Sequence, residues 1–155
     1  MPGTASQGSG SGGAAFVRTT ALTLETRGPG FTDLSSHLHG WLREIGADTG
    51  LVTLYLRHTS ASLTIQENAD PDVQRDLVSA LERLAPEDMP YRHRKEGADD
   101  MPAHIKAMLT ATHLSIPVAD GQPLFGTWQS PYLIEHRREP HRREVVMIFL
   151  GTLQR

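Results

Sequence analysis

The stretch Tyr91-Arg92-His93-Arg94-Lys95-Glu96-Gly97-Ala98-Asp99-Asp100-Met101-Pro102-Ala103-His104-Ile105-Lys106 gathers imidazoles, carboxylates and cations at the border of a loop and a helix. Pro102 has no backbone N–H and suits a first helical turn, so the pattern predicts a helix beginning just before His104, with Asp99 or Asp100 capping its free N–H groups. Met101, His104, Ile105 and Met108 recur at three- and four-residue spacing, which turns His104 inward and Lys106 roughly the opposite way. The positive end of the helix dipole favours a neutral imidazole at His104. Such a ring is a metal ligand or a general base. The plain alternative is a core histidine satisfied by a backbone carbonyl, and His93, Glu96 and Asp100 nearby weigh against it. No His-x-x-x-His or paired-Cys spacing supports the metal reading.

Two further groups join this stretch. His58 follows Val52, Leu54 and Leu56 at strand parity, which directs it to the covered side of a strand over 51–56. Thr59-Ser60-Ala61-Ser62 comes next, small hydroxyl residues that either line an anion pocket or form an ordinary turn. Glu67 continues the parity of Leu63 and Ile65, so its carboxylate is also directed inward, and Asn68 follows it.

The remaining elements must position these groups. Residues 1–15 are almost wholly Gly, Ser and Ala and read as a flexible tail or an expression scar; residues 16–155 read as one domain. Phe16 to Glu25 is a strand ending at the Arg27-Gly28-Pro29-Gly30 turn. Thr32 reads as the N-cap of a helix with Leu34, Leu38, Trp41, Leu42 and Ile45 on one stripe, flanked by His37 and His39. Asp70-Pro71 starts a second helix with Val73, Leu77, Leu81 and Leu84 on its buried face. Leu114 to Val118 and Tyr132 to Ile134 read as strands. Val145 to Leu150 is an unbroken apolar run, as in a central strand covered on both faces. The expectation is an α+β fold: a single compact domain of mixed or largely antiparallel sheets packed with about three helices. Neither a Gly-x-Gly-x-x-Gly nor a Gly-Lys-Ser/Thr phosphate loop is present, which argues against the two folds they mark.

A net charge of −3 and a pI near 6.2 argue against a bulk nucleic-acid binder. No apolar run has spanning length and no secretory signal opens the chain, so no membrane is expected and a cytoplasmic location is. With no cysteine, disulfides, thiolate nucleophiles and Cys-ligated metals are excluded, and any metal must use His, Asp, Glu or water.

Three segments in order, His58-Thr59-Ser60-Ala61-Ser62-Leu63-Thr64-Ile65-Gln66-Glu67-Asn68, then His93 through Lys106 with its Asp-Asp-Met-Pro-Ala-His-Ile-Lys end, then Gly121 followed by Leu124-Phe125-Gly126-Thr127-Trp128-Gln129, closely resemble the YjbQ family, also called the secondary thiamine-phosphate synthase family. The resemblance covers about residues 16–153. It implies an α+β homotrimer with histidine-rich clefts near subunit boundaries. It also implies a weak synthase activity that joins a pyrimidine diphosphate to a thiazole phosphate with loss of pyrophosphate. The matching positions are His58, Thr59, Ser60, Glu67, Asn68, His93, Glu96, Asp100, His104, Lys106, Thr127, Trp128 and Gln129. Ser130-Pro131 and His136 depart from the family pattern, and Pro131 removes a strand donor after Gln129.

On this reading His58, His93 and His104 share a divalent metal, zinc or magnesium, or a phosphate site, helped by Lys106, Arg142 or Arg143. Glu67 and Asp100, with Glu96 beside them, orient the rings from behind. His58, Glu67, His93 and His104 are the expected catalytic set. Thr59, Ser60, Asn68, Lys106, Thr127, Trp128 and Gln129 are expected to bind a small phosphorylated substrate. Two alternatives stand beside condensation: a metal-dependent hydrolase of a small phosphorylated or lactone-like molecule with Glu67 or Glu96 as base, and a non-catalytic trimer that binds a small ligand.

Overall fold

The computed structural model describes residues 14–155; the tail expected over residues 1–15 lies almost wholly outside the described residues. Its strands are β1 (Phe16–Thr26), β2 (Gly30–Asp33), β3 (Ala47–Leu56), β4 (Ala61–Glu67), β5 (His113–Ala119), β6 (Gln122–Pro123), β7 (Gln129–Glu135) and β8 (His141–Leu153). The helices are α1 (Ser35–Glu44), α2 (Pro71–Leu84) and α3 (Asp100–Leu109). One sheet has the order β1-β8-β3-β5-β6 and the other β2-β7-β4, and every named pairing is antiparallel.

Strand alternation builds the core. Val52, Leu54 and Leu56 of β3, Leu114, Ile116 and Val118 of β5, and Val145, Met147 and Phe149 of β8 present one apolar face. Leu63 and Leu133 of the smaller sheet meet that face, and Leu38, Trp41 and Leu42 of α1 fill the space between.

Several sequence expectations change here. Thr32 lies in β2, and it is the Asp33 carboxylate that accepts the Ser35 N–H at the start of α1. Asp70 caps α2 as expected, accepting the Asp72 N–H at 2.9 Å. However, α2 has no fully buried residue and its Leu84 is 66% exposed, because only part of one face rests on the domain. The apolar run of β8 is covered on one face only: Ile148 and Leu150 are exposed. Pro131 is tolerated in β7, the middle strand of its sheet. Its carbonyl accepts from Leu34 beyond the end of β2, and the N–H it lacks would point to that same side, where no strand follows.

Candidate metal centre

Asp100 and His104 stand one turn apart on α3, so both project to the same side. The loop between α2 and α3 brings His93 to meet them. His93 Nε2 lies 2.6 Å and His104 Nε2 3.2 Å from Asp100 Oδ2. The two rings are tilted with centroids 5.5 Å apart, and one donor atom from each of the three residues falls within 4.8 Å of the others.

Two contacts behind these donors fix their roles. His104 Nδ1 is 2.8 Å from the Thr59 carbonyl, which can only accept, so the Nδ1 carries a proton. Nε2 then faces a carboxylate oxygen, a contact that either a proton on Nε2 or a metal cation between the two atoms would satisfy. Asp100 gives Oδ1 to the Arg137 guanidinium at 2.5 Å and keeps Oδ2 for the two rings. Its side chain is almost fully buried. Burial alone would raise its pKa, but the hydrogen bond with His93 and the charges of His104 and Arg137 outweigh this and hold it below the usual carboxylate range. Two imidazoles and one carboxylate suit zinc and similar borderline divalent ions, and fit magnesium poorly because it prefers oxygen.

Arg137 is the residue sequence reasoning missed. Besides Asp100, it donates from Nε to Asp99 Oδ2 and from Nη2 to the Glu96 carbonyl. One guanidinium thus ties the His93 loop and the start of α3 to the end of β7. Asp99, at the N-cap position, therefore spends its carboxylate on Arg137 and on the Arg138 amide instead of capping the helix. Burial would raise Asp99 too, and those hydrogen bonds bring it below its ordinary value.

The three imidazoles expected together do not meet within one chain. His58 does line a cleft of about 510 Å³ with His104, Thr59, Tyr55, Arg57 and Met108. Yet its Nε2 accepts the Glu144 backbone N–H at 2.8 Å. Burial and Arg143 lower its pKa, so the ring is neutral with its proton on Nδ1 and has no lone pair left for a metal. Asp100, expected behind the metal, takes the position His58 was assigned. Glu96 stays close, with Oε2 4.0 Å from His93 Nε2.

The helix face was also read one step off. Lys106 is buried and pairs with Glu82 at 2.9 Å, while Met108 is 79% exposed, because α3 packs through Pro102, Ala103 and Lys106. Lys106 is thus turned away from His93 and His104. Arg143 is buried as well, held bidentately by Glu135 and donating to Ser60, and Arg142 is exposed. Ser60 is therefore a buried partner of Arg143, and of the two residues only Thr59 reaches the cleft. Glu67, Asn68, Thr127, Trp128 and Gln129 gather at the opposite end of β4 and β7, where Glu67 pairs with Gln129 in register. Six residues of strand, about 20 Å, separate that end from Ala61. Asn68 donates to Ser130 Oγ and Gln129 Oε1 accepts the Gly126 N–H. Trp128 is 63% exposed and is neither core nor a wall of the histidine cleft. Glu67 keeps one buried oxygen without a hydrogen-bond partner.

A family model described as UPF0047 protein YjbQ-like matches residues 20–152. The UPF0047 protein sll1880 of Synechocystis sp. is 49% identical over 133 residues, covering 85% of this chain and 90% of that protein. The UPF0047 protein YjbQ of Escherichia coli O157:H7 is 40% identical over 131 residues, covering 84% and 95%. Among solved structures, an uncharacterized conserved YjbQ/UPF0047-family protein from Clostridium acetobutylicum superposes with a TM-score of 0.78 at 34% identity, covering 84% of this chain and 98% of that one. A YbjQ-like protein of unknown function from Sulfolobus solfataricus shares the fold with a TM-score of 0.83 at 18% identity, covering 90% and 100%.

Proposed function

The chain belongs to the UPF0047 YjbQ-like family, and from that premise we propose that it is a divalent-metal-dependent enzyme that hydrolyses a small phosphorylated or lactone-like molecule. The observation that carries this reading is the open set His93 Nε2, Asp100 Oδ2 and His104 Nε2 beside a cleft of about 510 Å³. Three protein donors leave coordination positions for water and substrate. A divalent ion bound there would supply Lewis acidity and lower the pKa of coordinated water.

The chain's own residues do the rest. Thr59 and Arg137 hold His104 and Asp100 in ligating orientation. Glu96, exposed and next to His93, is the carboxylate best situated to take a proton from the attacking water, whereas Glu67 is a strand length away. Arg57, on the cleft wall and paired among the described residues with the half-buried Glu144, is available to an anionic group of the substrate.

Condensation of a pyrimidine diphosphate with a thiazole phosphate is the second reading. The cleft volume of about 510 Å³ favours it, since two fragments must be accommodated, and a bound cation would neutralise the departing pyrophosphate. Lys106 and Arg143, the cations expected to assist, are engaged with Glu82 and Glu135, which weakens this reading relative to hydrolysis.

Turnover of paired thiamine precursors and of generic phosphate esters and lactones, with and without chelator, separates the two. Chelator-sensitive ester or lactone hydrolysis that Glu96→Gln lowers at least tenfold supports the first. Condensation without hydrolysis favours the second, and turnover of neither by metal-loaded protein refutes both.

A further inference from the structure

The histidine cleft has a direction, set by two contacts across it. At one end the Thr59 carbonyl holds His104 Nδ1 at 2.8 Å. At the other the Leu56 N–H donates to the Thr112 carbonyl at 2.9 Å. The chain from Thr59 back to Tyr55 therefore runs alongside the path from His104 to Thr112, and these two stretches are the walls of the cleft. Four steps of extended chain make the first wall about 13 Å long. On the second, Asp100, His104 and Met108 follow one another at single helical turns, about 6 Å each, so the metal donors stand at the start of the stripe and Met108 at its far end.

The chemistry changes along these walls. His104, Thr59 and His58 make the first end polar. Arg57 comes next, its side chain 63% exposed and paired with the half-buried Glu144. Exposed ion pairs are worth little, so an anion that enters the cleft displaces Glu144 at small cost. Tyr55 stands two residues beyond Arg57, about 7 Å further along, and Ala107 and Met108 line the helix wall. No charged side chain lines this far end. Tyr55 is 48% and Met108 79% exposed, an aromatic ring and a thioether that adapt to apolar groups of varied shape.

We propose that the molecule this cleft takes is the phosphomonoester of an apolar alcohol, its phosphoryl group between the metal donors and Arg57 and its carbon chain running towards Tyr55 and Met108. A lactone has no charge to meet Arg57, and a sugar phosphate would set its hydroxyls against the apolar end. With C–C bonds of about 1.5 Å, a chain of about six carbons covers the distance from Arg57 to Tyr55. The chemistry rests on the hydrolase reading; the binding does not. In hydrolysis the water oxygen bonds to phosphorus, the P–O bond to the alcohol breaks and the alcohol leaves with a proton, so the products are inorganic phosphate and the free alcohol.

Calorimetric titration of the zinc-loaded protein with ethylphosphonate and hexylphosphonate, which cannot be hydrolysed, tests the binding. A fully buried methylene is worth about fourfold in affinity, and the four extra methylenes in a half-open cleft are expected to make hexylphosphonate at least tenfold tighter. Tyr55→Ser combined with Met108→Ser, two exposed positions outside the core, is expected to bring that ratio below about threefold. Arg57→Gln is expected to weaken both ligands about fivefold. Equal affinities in the wild-type chain, binding of neither ligand, or a hexyl preference that survives the paired substitutions overturns the proposal. Turnover tells its failure apart from that of the hydrolase reading. Hydrolysis of ethyl and hexyl phosphate at equal kcat/KM overturns the proposal and leaves the hydrolase standing; a tenfold preference for hexylphosphonate with hydrolysis of neither phosphate upholds the proposal and refutes the hydrolase.

Discussion

His136 gives the fold a pH dependence whose size can be worked out beforehand. The ring is 3% exposed and its Nε2 sits 2.8 Å from Ser62 Oγ. Burial, with Lys106 and Arg143 adding to it and Glu135 opposing, pushes its pKa down to about 4 from an ordinary 6.5. The folded value lies below the unfolded one, so the unfolded chain takes up the proton first. The stabilisation is therefore complete above pH 6.5 and is lost as pH falls towards 4. At pH 5 the unfolded histidine is almost fully protonated and the folded one only about a tenth, which amounts to about 2 kcal/mol, or about 6 °C in Tm for a chain of this length. Urea melts of metal-free protein at pH 7, 6 and 5, followed by circular dichroism, measure it. His136→Asn is less stable at pH 7 because the polar group it substitutes pairs less well with Ser62, but it lacks this one proton of slope. Its stability is expected to fall about 2 kcal/mol less than wild type between pH 7 and 5. Identical losses in the two proteins would show that His136 is protonated in the fold and that the burial argument is wrong.

Two other predictions concern the network around the site. Arg137→Met removes the partner of Asp100 Oδ1, leaves Asp99 buried without its guanidinium and frees the His93 loop. Divalent-metal affinity by equilibrium dialysis is expected to drop about 10–100-fold while far-ultraviolet circular dichroism stays unchanged. Arg143→Met leaves Glu135 buried without its cation. Glu135 is held below its ordinary pKa against the cost of burial, chiefly by the Arg143 and Thr26 hydrogen bonds, so the variant is expected to lose about 3–5 kcal/mol in urea unfolding. A loss within experimental error would mean that the pair is solvated.

The scaffold was legible wherever periodicity reports on packing. Val52, Leu54 and Leu56 alternate as β3 does, the Leu38–Trp41–Leu42 stripe packs α1, and Asp70-Pro71 starts α2. The two histidines and the carboxylate of the candidate centre lie within one stretch of sequence, which is why that stretch could be singled out. The division of labour among them was not legible. Arg137 reaches Asp100 from 37 residues away because β7 ends beside α3, and no local pattern announces this. Likewise the Glu144 amide that occupies His58 Nε2 comes from another strand, 86 residues on. The face of α3 was misread because a lysine is an unlikely core residue by type; Lys106 becomes one only through Glu82, on a different helix.

The central claim is that His93, Asp100 and His104 hold one divalent ion and that His58 does not. Zinc stoichiometry of tag-free protein after dialysis, determined by elemental analysis, tests this directly. One zinc per chain is expected in wild type and in His58→Gln, and at most a tenth of that in Asp100→Asn and His104→Gln, all folded by circular dichroism. Full zinc in Asp100→Asn, or its loss in His58→Gln, would contradict the account.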